Sequence, residues 1–134
     1  MGKRSGYGMD KGRRDSSLDE FVYASIEDRI ALPKDEFIEQ LQSWELKPVE
    51  LDGVLTAVVM VKANEVHVAV RKGFKGKWMK RGSVIRGILA PILAEYGEIV
   101  TSVSYGNEAG RAFVERIGFV PNSVIYRLEK LTHA

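Results

Sequence analysis

SYGNEAGRAFVERIGF, residues 104–119, decides how this chain of 134 residues is read. A strand-like run ends at Tyr105, Asn107 precedes a helix-forming segment, and Gly118-Phe119 close it. Asn is among the best N-caps because its side-chain oxygen accepts a loose N–H of the first turn. A Gly just past the last helical residue supplies the left-handed geometry that ends many helices. The spacing predicts a helix capped by Asn107 and stopped by Gly118. EIVTSVSY is expected as the strand before it, and FVPNSVIYRL as a last strand or pair of strands.

Working outward, SVIRGILAPILAEYG carries Val84, Ile85, Ile88, Leu89, Ile92 and Leu93 as a wide apolar stripe, the mark of a core-facing helix. Ser83 is a candidate N-cap, Gly97 a fitting stop, and Pro91 should kink the helix from inside. Before it, KPVELDGVLTAVVMVKANEVHVAV changes to a period of two and reads as three strands. Asp52-Gly53 is a strong hairpin signal and Ala63-Asn64 a weaker one. On the third strand Val66, Val68 and Val70 share one face, and Glu65, His67 and Ala69 the other. Two short helices come first. One places Leu18, Phe21, Val22 and Ile26 on one face; the other starts at Pro33 and repeats Phe37, Leu41 and Trp44. The element order is ααβββαβαβ.

Length allows one core, so residues 18–134 are expected to form one α/β domain behind a flexible basic tail, residues 1–17. The absence of cysteine excludes disulfides, thiol catalysis and Cys-ligated zinc, and no acid–histidine spacing suggests a metal. No apolar run approaches a bilayer span and the N-terminus carries no secretory signal, so no membrane role and a cytoplasmic location are expected. Charge is segregated. Asp19 to Glu65 holds eleven acids against four bases, whereas Arg71 to Arg86 holds seven bases and no acid.

In this order of elements, and in GNEAGRAFVERIGF, the chain resembles the GNAT superfamily of N-acetyltransferases over roughly residues 46–129. Asn107, Phe113, Gly118 and Phe119 stand at the family's offsets. The resemblance implies a mixed central sheet with a splayed parallel strand pair, flanked by helices on both faces. It implies acetyl-CoA as acyl donor and an amine on a small molecule or protein as acceptor. The splayed strands would be Glu65–Val70 and Ile99–Tyr105, with the backbone of Val68, Ala69 and Val70 facing the cofactor and an N–H there stabilising the oxyanion. The phosphate loop would be Lys75–Gly82, with Lys75, Gly76, Lys80, Arg81, Gly82 and Ser83 near the anion and Asn107 and Phe113 on the opposite wall. Glu65 and His67 are the candidate bases, and Tyr105 and Tyr126 are candidate acids in place of the family's Tyr.

The sequence also departs from that family. Trp78 stands where the phosphate loop has Gly, and Val114 where many members carry the proton-donating Tyr. The family opens with a strand, for which EFVY is the one candidate unless the basic tail has replaced it. GNEAGRAFVERIG is similar to the corresponding segment of short GNAT-like proteins carried in tailed-bacteriophage particles, which implies a virion location as the alternative. Two competing functions follow: a non-catalytic binding or structural protein of the same fold, and a small nucleic-acid-binding module using the tail, Trp78 and Phe74. Asn107 as a plain cap and His67 as a packing residue stand beside their cofactor and base roles.

Overall fold

A computed structural model describes residues 16–74, 78–126 and 128. They fall into two units that meet in sequence after Thr101. In the first, helix α1 (Ser16–Ile26) is followed by a short 3-10 turn and helix α2 (Lys34–Leu41). Strands β1 (Glu45–Leu51), β2 (Val54–Lys62) and β3 (Glu65–Val70) then form an antiparallel sheet in the order β1-β2-β3. The α/β class is as the sequence implies. Leu18, Phe21, Val22 and Ile26 lie on the helix their spacing implies, so EFVY does not supply the family's opening strand, and Ser16 and Ser17, assigned to the tail, begin α1.

The two hairpins follow from turn chemistry. Asp52 and Gly53 have φ of 56° and 81°, the pair of positive values that joins right-twisted strands without splaying them. The second turn holds Ala63 at φ 54°, a conformation an L side chain resists. Register follows the apolar pattern: Val58 opposes Ala69, Met60 opposes His67 and Val61 opposes Val66. Val22, Leu41, Leu46, Val58 and Ala69 form one buried cluster, so α1 and α2 cover the sheet face that carries His67. The opposite face is buried as well, through Val49, Ala57, Val59, Val61 and Val66. That is why β2 is apolar at nearly every position instead of alternating.

After β3, residues 81–96 form one helix, α3, in three contiguous segments: Arg81–Val84, a wider π-helical turn Ile85–Leu89, and Ala90–Tyr96. Pro91 accounts for the wide turn. Its nitrogen cannot donate to Gly87 and its ring crowds that carbonyl, and an i→i+5 turn relieves both. The kink expected from Pro91 takes this form.

Two expected strands are not formed among the described residues. EIVTSVSY contributes a single parallel bridge, Glu65 to Val100, and residues 101–104 belong to no strand. FVPNSVIYRL pairs with nothing among its described residues, and Val120, Val124, Ile125 and Tyr126 are exposed. Among the described residues the sheet is antiparallel with one parallel contact, and the splayed strand pair is not formed as a ladder.

The second unit contains helix α4 (Glu108–Ile117), closed at both ends by its own sequence. Asn107 Oδ1 accepts from the Gly110 N–H at 3.0 Å. At the other end the Phe119 and Gly118 N–H groups donate to the carbonyls of Val114 and Glu115, at 3.0 and 3.1 Å, with Gly118 at φ 126°. This double bond is the Schellman closure, and it explains the Gly-Phe pair that ends the decisive stretch.

Candidate functional site

The edge of β3 that does not face β2 is where the site begins. Strand geometry sends alternate amides to opposite edges, and the Val66 N–H goes outward, to the Val100 carbonyl at 3.0 Å. The Val100 N–H returns to the Asn64 carbonyl at 2.9 Å, and Asn64 Nδ2 reaches the Glu98 carbonyl at 3.4 Å. The hairpin residue Asn64 thus clamps the returning chain against the start of β3. By the same alternation the amides of Val68 and Val70 face outward, past the point where the parallel pairing ends. Val68 is a partly exposed residue, whereas Ala69, named with it from sequence, faces the core and is fully buried.

Glu65 and His67 are brought together. His67 Nε2 lies 2.7 Å from Glu65 Oε2. The two side chains share one hydrogen bond, in which the imidazole N–H donates to the carboxylate when Nε2 carries the proton. The Trp44 ring lies 5.5 Å from that of His67.

The turn leaving β3 is tied back to the sheet. The Arg71 N–H bonds the Thr56 carbonyl at 2.9 Å, and its guanidinium donates to the Leu55 carbonyl. Thr56 is the extra residue of a bulge opposite Val49 and Glu50. Its buried hydroxyl donates to the Trp78 carbonyl and also lies 3.2 Å from that of Val49. Met79, next to Trp78, is buried and anchors the loop. Bulges often sit beside sites, where they re-aim a strand end. Lys75 and Gly76, proposed for the phosphate loop, lie outside the described residues, as does the tail over residues 1–15.

Ser83 does not cap α3. The first residue before the helix is Lys80, whose carbonyl accepts from Val84 at 3.1 Å, and no side chain caps the end. Ser83 lies within the first turn and lines a cavity of about 310 Å³ with Pro48, Val49, Glu50, Lys80 and Val84. Arg86 folds back over Gly82, its guanidinium at 3.0 Å from where a Cβ would stand. Lys80 precedes α3, Arg81 opens it, and the Arg86 guanidinium lies over Gly82, at a helix start with no acid in its first turn. Cations are unfavourable at that end of a helix dipole, where an anion would be stabilised. Of the other bases in the run, Arg71 is bonded to the sheet and Lys72 lies 3.9 Å from Asp28.

In the second unit the Asn107 carboxamide oxygen is committed to its cap. Arg111 lies over the exposed Tyr105 ring at 4.8 Å and Arg116 over Phe113 at 5.9 Å. Tyr126 is almost fully exposed.

Sequence reasoning missed Asn64, Thr56, Met79, Arg86 and the buried Asp19, which accepts from Gln42 at 3.4 Å. Only Asn64 had a local signal, its turn position. Among the described residues no helix is long and apolar enough to cross a membrane, and no group of three or more acid or histidine side chains is placed to hold a metal. No protein-family model, curated protein or solved structure matches the chain.

Proposed function

We propose that this chain is a GNAT-like, acetyl-CoA-dependent N-acetyltransferase that acts on an amine. The observation that carries the reading is the parallel bridge that begins and ends at Glu65 and Val100. Among the described residues it leaves the outward amides of Val68 and Val70 beyond the last ladder bond of that edge, where an extended amide-bearing arm can pair as a strand would. The start of α3 supports an anion at the same end of the sheet. β1 and β3 run in the same direction, and the cross-sheet row Val49–Ala57–Val70 places the cavity wall at Val49 roughly 10 Å from Val70, two strand spacings. Lys80 and Arg86 supply charge there, and the N–H groups of Gly82 and Ser83 precede the first intrahelical bond.

In this reading the bound donor supplies the thioester and the chain does the rest. The β3 edge orients it, an N–H in Val68–Val70 faces the developing oxyanion, and the His67–Glu65 pair takes the amine proton. The acidic α1 and α2 favour a cationic acceptor.

A second reading, a non-catalytic protein of the same fold such as a virion component, is favoured by the second unit. Val114 and Phe113 offer no proton, and the Asn107 oxygen is occupied by its cap.

A thermal melt with acetyl-CoA separates them. Binding to the folded chain adds stability that grows with ligand concentration, about 2.7 kcal/mol at a hundred times Kd. A shift accompanied by thiol release in the presence of amines supports the transferase. A shift without release supports the binding protein, and no shift at millimolar acetyl-CoA overturns the cofactor assignment. Salt-sensitive DNA or RNA binding in its place would move the chain to the nucleic-acid class.

A further inference from the structure

We propose that Trp44, Lys62, Glu65 and His67 form a recognition corner for a primary alkylammonium group, with Lys62 as its resting occupant. Lys62 Nζ lies 5.6 Å from the centre of the Trp44 ring. The Trp44 and His67 rings are 5.5 Å apart and tilted by 59°, and His67 Nε2 is 2.7 Å from Glu65 Oε2. Register produces the meeting. Lys62 and Glu65 are direct cross-strand partners and His67 follows on the same face, while Trp44 enters just before β1.

The chemistry of the four suits one ligand. An indole face carries the negative lobe of a quadrupole and attracts cations better than other aromatic rings. The carboxylate adds full charge, and the imidazole adds a polar partner that the carboxylate orients. Trp44 also packs against the buried cluster, so its ring is held in place before any ligand arrives. All four side chains retain solvent exposure, which lets a ligand in. Lys62 presents an ammonium on a flexible stem, and an exposed cation–π contact is weak and readily displaced. The site is thus filled by the chain's own copy of the group it recognises. Identifying that ligand with the acceptor of acyl transfer rests on the function proposed above; the binding itself does not.

The test uses the full chain carrying Trp78→Phe, so that Trp44 is the only indole. Butylammonium is titrated at constant ionic strength, read by Trp44 fluorescence and by the imidazole NMR signals of His67. Saturable binding is expected, several-fold tighter in Lys62→Met because the internal competitor is gone. In the Lys62→Met background, Trp44→Leu and Glu65→Gln should each weaken binding by about threefold or more, read by the imidazole signals. If Trp44→Leu fails to fold by circular dichroism, Trp44→Phe preserves the packing and should give an intermediate loss. An unsaturable response in Lys62→Met, or equal binding without the indole, overturns the proposal. Acetyl-CoA melts of the same proteins keep the two readings apart. Ammonium binding without acetyl-CoA binding leaves the corner standing and sinks the transferase, and the reverse result does the opposite.

Discussion

The Val66 N–H donates to the Val100 carbonyl at 3.0 Å, and among the described residues the parallel pairing of β3 goes no further than that contact. Everything proposed for the β3 edge depends on where this pairing stops. The outward amide at Val68 makes the point testable. Proline there removes an N–H that takes no part in the β2 ladder, and edge positions tolerate proline. Val68→Pro should retain the fold and lose the stabilisation by acetyl-CoA. Ala69→Pro, which removes an inward ladder bond and disturbs the core, should cost roughly 3 kcal/mol or more. Urea melts with and without acetyl-CoA check both. A Val68→Pro protein still stabilised by the ligand would refute edge pairing.

Gly110 and Asn107 are coupled by contact. A Cβ on Gly110 would stand 2.5 Å from Asn107 Nδ2 and 3.0 Å from Val103 Cγ1. Gly to Ala inside a helix ordinarily gains about 1 kcal/mol, and an Asn cap is worth about the same. Gly110→Ala should therefore give no gain or a net loss, Asn107→Ala should cost about 1 kcal/mol, and the double variant should recover part of the loss. A double-mutant cycle by circular dichroism measures the coupling. Simple additivity would mean that the cap yields without strain.

Ala63 spends the hairpin turn at φ 54°. The left-handed region costs an L residue roughly 1–2 kcal/mol, and glycine returns part of any relief as unfolded-chain entropy. Ala63→Gly should raise stability by about 0.5 kcal/mol, seen as a higher denaturation midpoint at an unchanged m-value. The same substitution at a helical alanine such as Ala112 should lower stability.

Lys34 Nζ lies 2.7 Å from Glu20 Oε1 and joins α1 to α2. The hydrogen bond to Glu20, then its charge, raises the lysine above its ordinary pKa. The folded state holds that proton more tightly, so the contribution is complete below the unfolded lysine pKa and disappears as pH rises through the folded one. The stability difference between the native chain and Glu20→Gln should therefore be flat through neutral pH and close as the pH rises into the alkaline range. Because the pair is exposed, added salt should also shrink it.

How much could be read from residues alone depended on the range of each interaction. The cap at Asn107, the stop at Gly118 and the Asp52-Gly53 turn are settled within a few residues, and each appears as the sequence implies. So does the apolar face of α1, which delivers Val22 to the core. Ser83 misled because a capping residue type says nothing about where the preceding loop releases the chain. That release point is set by the Thr56 hydroxyl holding the Trp78 carbonyl, 22 residues away in sequence, and by the burial of Met79. EIVTSVSY and FVPNSVIYRL have strand composition, but a strand exists only where a partner lies alongside it.

What the sequence by itself determined were the local elements: helices from period and caps, hairpins from turn residues, and the burial of β2 from its unbroken apolar run. Only the tertiary structure decided that β3 meets the returning chain at one residue, that His67 pairs with Glu65 beside Trp44, and that the Arg86 guanidinium folds back over Gly82 at the start of α3. The physical reason is that short-range hydrogen bonds and side-chain periodicity are encoded in neighbouring residues. Edge pairing and charge clustering depend on where distant segments come to rest.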